Sequence, residues 1–345
     1  MKTKFLFVVL ILTIISCQSN PQRPETAEEN LPQNVANLIM PSGFDSGFVT
    51  SIINGEPVRY VKPVIRIANF TVPNTFKNAI RDPNFSMDAF LKDEIAKTGR
   101  YVLLGSEGDI QAAIAEQRRA SSDFFADDGT VEIGNLRLAG FVLNGEISQS
   151  YPIVTQVGGH FSLKVSVSVS LSVVDANTGV LAYTRNIEAV NEELLFVSAE
   201  GMIIRGPRNL TNKPINSLNA TGADIDLGPQ YRLALQEATR KTINFLEEKH
   251  PVMGEVLGLS GRDIMTTASE NNGIKPGDYL FIVRIGDPLK DSSGRILGFN
   301  KTMIGAARVT TVERNMSTAT IVRLQDQSIL PSQRDIIISL PATAQ

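Results

Sequence analysis

The clearest pattern in the chain runs from Phe161 to Val173. There Phe161, Leu163, Val165, Val167, Val169, Leu171 and Val173 alternate with Ser162, Lys164, Ser166, Ser168, Ser170 and Ser172. Successive strand side chains point to opposite faces, so the run predicts one long strand with an apolar and a polar face. Asp175-Ala176-Asn177-Thr178-Gly179 supplies turn chemistry and Leu181 to Ala189 alternates again, which together predict an antiparallel hairpin. Upstream, Val64 to Phe70 reads as a strand. Ser86 can cap a helix that carries Phe90, Leu91 and Ile95 on one face and stops at Gly99. A short strand at Tyr101 to Leu104, a helix from Asp109 through Ile114 to Arg119, and a strand at Gly140 to Ile147 follow. After the hairpin, Pro229 opens a long helix through Leu235, Ala238, Thr242, Phe245 and Leu246 to Glu248.

From Pro251 the texture changes to short strands at 254–259, 263–267, 279–285, 304–312, 319–322 and 336–340, divided by turns such as Gly273-Ile274-Lys275-Pro276-Gly277-Asp278. Strands this short and closely spaced predict a small β-barrel. The chain's start is different again: Lys2 and Lys4 precede an apolar run from Phe5 to Ile15, and Ile14-Ile15-Ser16 leads into Cys17. That run falls short of the roughly 20 apolar residues of a membrane-spanning helix and reads as a cleaved export signal. Gln18 to about Gln33 is rich in Ser, Asn, Pro, Gln and Glu, a composition suited to a flexible tether. The expected organisation is signal 1–17, tether 18–60, an α+β domain at 61–250 and a barrel at 251–345.

A chain of 345 residues has room for two such domains, and its net charge of −3 gives no support to nucleic-acid binding. With one Cys and two His, disulfide frameworks and thiolate metal sites are excluded from the mature fold. His160 reads as a polar residue at a strand edge, and His250 as a favourable charge at a helix C-terminus. The pairs Asp127-Asp128, Glu192-Glu193 and Glu247-Glu248 read as solvated surface, because adjacent residues on a helix or strand point apart. Asp175, Asn177 and Gly179 lack the closing acid of a calcium loop, and Gly105-Ser106-Glu107-Gly108 lacks the Lys of a phosphate loop. No catalytic, cofactor or metal residues are expected. A metal-assisted hydrolase, the enzymatic alternative, would need converging carboxylates.

Two resemblances sharpen this reading. Ile14-Ile15-Ser16-Cys17 resembles the lipobox of bacterial lipoproteins, which implies a diacylated Cys17. Gln18 and Ser19, with no Asp, imply the outer membrane, with the protein facing the periplasm. Ile114-Ala115-Glu116-Gln117-Arg118, Asn135-Leu136, Ala139-Gly140, Asn144-Gly145-Glu146-Ile147 and the Val174 to Val180 turn resemble the family of the curli secretion channel subunit (CsgG-like), over roughly Val61 to Lys249. The segment after Pro251 resembles the SH3-like C-terminal barrel of flagellar assembly protein T (FlgT).

The implied fold is an α+β class: a CsgG-like mixed αβ domain with a long antiparallel hairpin, plus a small SH3-like barrel. The implied role is assembly or secretion of surface structures through contacts with other envelope proteins, with a homo-oligomer among the expected assemblies. Phe161, Leu163, Val165, Val167, Val169, Leu171 and Val173 are then the residues to face a membrane or a neighbouring subunit. Their run meets the 9 to 11 residues of a membrane strand, although a half-buried sheet shows the same alternation. Glu200, Arg205, Pro207, Arg208 and Lys213 break any apolar face between Glu192 and Pro214, so a second membrane hairpin is not expected there. A monomeric accessory lipoprotein of the cell-wall or flagellar machinery is the alternative.

Overall fold

The computed structural model describes residues 31–39, 60–105, 140–149, 151–218, 226–333 and 335–340. Strand β1 (Val64–Thr71) lies between β2 (Val102–Leu103) and β3 (Phe141–Gln149), parallel to both. The sheet continues antiparallel through β5 (His160–Asp175) and β6 (Leu181–Val197) to β7 (Ile203–Arg205). β4 (Ile153–Val157) pairs with the first part of β5, beyond the end of β3. The β5–β6 turn forms as its residues dictate: Asp175 Oδ1 accepts from the amides of Asn177 (2.8 Å) and Thr178 (3.3 Å), and Gly179 takes the left-handed conformation at φ +68°.

One sheet face is covered by helices. α1 (Gln33–Ala36) belongs elsewhere, and α2 (Asn74–Ala79), α3 (Met87–Thr98) and α4 (Gly228–Lys249) lie beside the sheet. Ser86 caps α3, its hydroxyl accepting from Ala89 N at 3.3 Å, and Gly99 ends the helix at φ +69°. Met87, Leu91 and Ile95 of α3 and Tyr231, Ala234, Leu235, Ala238, Ile243 and Leu246 of α4 share one core cluster with the apolar face of β5. Ser86→Ala removes a single side-chain cap and is expected to cost about 1 kcal/mol, read as a shift in the denaturation midpoint with unchanged slope.

The C-terminal part closes on itself. β8 (Met253–Ser260), β9 (Asp263–Thr266), β10 (Tyr279–Lys290), β11 (Ile296–Val312), β12 (Ser317–Leu324) and β13 (Ile336–Ser339) form a closed barrel in the order β10-β11-β12-β9-β8-β13. Leu280, Ile282 and Ile337 point into one core, with Val256, Ile264 and Val309. Their neighbours Phe281, Val283, Ile336 and Ile338 enter a second cluster on the outer wall, together with Val35 of α1. An uninterrupted Ile336-Ile337-Ile338 run fits a strand buried on both faces. Folded structure thus begins before Val61: Val35, inside the range expected as tether, is fully buried against the barrel.

The expected α+β class with a CsgG-like mixed αβ domain is corrected. Among the described residues 47% are strand and 21% helix, arranged as a mixed sheet beside a closed six-stranded barrel. Strands β5, β6, β10 and β11 run for 16, 17, 12 and 17 residues. Strand therefore outweighs the few helices that cover the sheet. The expected helix from Asp109 to Arg119 and the motif residues 114–118, 135–136 and 139 lie outside the described residues.

Candidate functional site

The structure places the alternating stripe inside the protein. Leu163, Val165, Val167, Val169, Leu171 and Val173 are each at most 1% exposed, and Phe161 is partly buried. Val165 to Val173 pack under α3 and α4, while Leu163 joins Leu195, Ile203, Leu210, Ile215 and Leu218 at the far end of the sheet. Of the seven residues expected to face a membrane or a neighbour, six are thus buried inside the protein and Phe161 is partly so. Alternation records only that one face is dry, and here the drying surface is the protein's own helices. Cys17 lies outside the described residues.

The opposite face is the accessible one. Ser166, Ser168 and Ser172 are half-buried there and Ser170 is exposed, opposite Val190, Glu188, Thr184 and Asn186 of β6 respectively. Toward the far end the face becomes apolar. Ile153 and Val157 of β4 and Val190 and Leu194 of β6 are each 50–53% exposed. Phe196 completes this band with its ring 5.9 Å from His160, and the Arg205 guanidinium lies 5.4 Å from the same ring. Glu192 accepts from Ser162 Oγ at 2.5 Å and pairs with Lys164 Nζ at 3.2 Å. These contacts, the hydroxyl first, hold its carboxyl below the ordinary carboxylate range.

Along residues 181–195, β6 has no strand neighbour on its outer side among the described residues, since β7 pairs only with Phe196 and Val197. One of its carbonyls, that of Glu188, accepts from Lys241 Nζ at 2.9 Å. A lysine at an open edge is one way proteins discourage unwanted strand pairing.

A buried ionic cluster joins sheet and barrel, and the sequence reading missed it. Arg100, 1% exposed, donates from Nη1 to Glu247 Oε2 (3.0 Å) and Leu340 O (2.9 Å), and from Nη2 to Asp278 Oδ2 (2.9 Å). Asp278 Oδ2 also accepts from Lys275 N, and Lys275 Nζ reaches Lys97 O at 2.9 Å. Beside this cluster Gly273, at φ +81°, faces Gly99 so closely that a Cβ would lie 2.5 Å from the Gly99 carbonyl carbon. Burial first, then the Glu247 carboxylate, pushes the neighbouring Tyr101 phenol well above its ordinary range.

Two titratable residues differ from the sequence reading. Glu247, expected on solvated surface with Glu248, is 1% exposed, because α4 turns the first of the pair toward Arg100. His250, expected as a helix-terminal cation, is mostly buried, with its ring 4.3 Å from Phe141 and 5.8 Å from Tyr183. Burial, reinforced by Lys249, pushes it down to about 4, so it is neutral near pH 7. The pair Asp127-Asp128 lies outside the described residues. No group of three or more His, Cys, Asp or Glu among the described residues is arranged to hold a metal ion. No described helix is long and apolar enough to cross a membrane, which leaves strands unaddressed.

No protein-family model and no curated protein matches the chain. Among solved structures it is similar to the hypothetical protein CT253 from Chlamydia trachomatis, at 14% identity over 53% of this chain and 96% of that one, with a TM-score of 0.23. A putative neuraminyllactose-binding hemagglutinin homolog from Helicobacter pylori matches at 12% identity, 56% and 90% coverage and a TM-score of 0.27. The LpoB C-terminal domain from Salmonella enterica matches at 13%, 41% and 93%, with a TM-score of 0.16. At such TM-scores the likeness assigns neither fold nor function.

Proposed function

We propose that this chain is a lipid-anchored protein of the outer membrane, facing the periplasm, that serves other envelope proteins as an accessory through direct contact. The observation that carries the reading is Cys17: the only cysteine in the chain stands directly after an apolar run with a basic start, at the position where lipidation requires it. The half-exposed band of Ile153, Val157, Val190, Leu194 and Phe196 is the surface assigned to contact in this reading.

Cys17→Ser is the direct test. Wild-type protein should incorporate labelled palmitate and fractionate with the outer membrane, and the variant should do neither. Unlabelled wild-type protein, or a variant that stays membrane-bound, would remove the anchor from the proposal. Sizing the detergent-extracted protein separates the alternatives: a monomer or small oligomer fits an accessory, whereas a ring of many subunits would replace that reading with an assembly.

A further inference from the structure

We propose that a polar cavity between the barrel and the segment leading into β1 is a binding site for a carboxylate-bearing sugar. The cavity measures about 760 Å³, within the roughly 300–1,000 Å³ common for small-molecule sites. Tyr60 supplies one wall. Thr267, Ser269, Asn271, Asn272, Arg314 and Asn315 supply the others among the described residues, so the described lining holds no aliphatic side chain and no carboxylate.

Two turns hold these groups in place. The 3-10 turn Glu270–Asn272 and the β11–β12 turn are joined by Glu270 N to Glu313 O (3.1 Å) and Asn271 N to Arg314 O (3.3 Å). Their side chains are joined by Asn271 Nδ2 donating to Asn315 Oδ1 at 3.0 Å, and within the first turn Ser269 Oγ donates to Asn272 Oδ1 at 2.9 Å. Each of these bonds uses one end of an amide. The Nδ2 groups of Asn272 and Asn315 and the Oδ1 of Asn271 keep their hydrogen-bonding capacity among the described residues.

The donor set selects the ligand. Amide groups offering both donors and acceptors match the hydroxyl and acetamido groups of a sugar. Tyr60 packs against the barrel and bounds the site on that side. Arg314 is exposed and lines the cavity, and a guanidinium fork suits a carboxylate. Glu270 and Glu313 adjoin the site but are not part of its lining, and their charge disfavours a polyanion. A wholly apolar ligand would offer no partner to the Nδ2 groups of Asn272 and Asn315 or the Oδ1 of Asn271.

The test is a calorimetric titration of the detergent-extracted full chain with three probes. N-acetylmuramic acid represents wall glycan stripped of its stem peptides, whose lactyl carboxyl is free, glucuronic acid represents acidic exopolysaccharide, and N-acetylglucosamine is the neutral control. At least one acid should bind saturably and more tightly than the neutral sugar, and whichever binds more tightly identifies the source. Arg314→Ala should weaken that acid about tenfold or more while leaving the neutral sugar unchanged. Asn271→Ala should weaken both. Arg314 is exposed, so melting temperature should be preserved and serves as the folding control. Absence of saturable binding by either acid, or an acid affinity indifferent to Arg314→Ala in folded protein, would overturn the proposal.

Discussion

Arg100→Met is expected to cost about 3–5 kcal/mol of folding stability, because it leaves the carboxylates of Glu247 and Asp278 buried with their guanidinium gone. For a protein of this size the loss corresponds to a melting temperature roughly 4–10 °C lower. The two carboxylates come from different parts of the fold, Glu247 from α4 and Asp278 from the turn before β10, so the charge left over sits between sheet and barrel. The same variant also strands the Leu340 carbonyl. Wild-type protein should unfold in one transition, and the variant in two, as the barrel loses its tie to the sheet. Removing Glu247 together with Arg100, as Met and Leu, should restore part of the loss, since Asp278 retains the Lys275 amide. Such recovery is the signature of groups that act as a unit. Additive losses, or a single variant as stable as the wild type, would show that the cluster does not couple the two parts.

This cluster also marks where sequence reading stops. Arg100 stands 147 positions from Glu247 and 178 from Asp278, and no periodicity connects residues so far apart. Arg100 follows a helix-ending glycine, and Glu247 belongs to an acidic pair, both ordinary surface signatures. What was legible was local. The alternation at 161–173, the turn at 175–179, Ser86 and Gly99 at the two ends of α3, and Pro229 at the start of α4 all appear where their chemistry places them. The six strand segments after Pro251 were legible for the same reason, since each is set by nearby apolar residues and bounded by turn formers.

The partner of each apolar face was not legible. A dry face packed under α4 and a dry face in lipid require the same alternation of Val and Ser. The amphipathic face of α4, Tyr231, Ala234, Leu235, Ala238 and Leu246, was the clue within the chain, because that helix needs a sheet to cover. Helix content was overstated for a related reason: strands such as β5 and β6 run for 16 and 17 residues, so a few long alternating runs outweigh several short helices.

Acidification should expose the burial of His250. In the unfolded chain its imidazole titrates near 6.5, and in the folded protein near 4. Between those values the unfolded state takes up a proton that the folded state refuses, so stability is complete above about pH 6.5 and falls as pH drops toward 4. The full interval corresponds to about 3 kcal/mol, at 1.36 kcal/mol per pH unit of difference. The refusal has a visible cause. The ring lies against Phe141 and Tyr183, its Nε2 is buried without a hydrogen-bond partner among the described residues, and Lys249 adds a like charge beside it. His250→Phe keeps an aromatic ring against Phe141 and removes the proton site. Carboxylates titrate in the same range, so the informative quantity is the difference between wild-type and variant stability at each pH. That difference should shift by about 3 kcal/mol in favour of the variant between pH 7 and pH 4, measured by urea unfolding. A difference that stays constant over this range would mean that His250 accepts its proton in the folded state, with the Phe141 and Tyr183 rings opening to water to admit it.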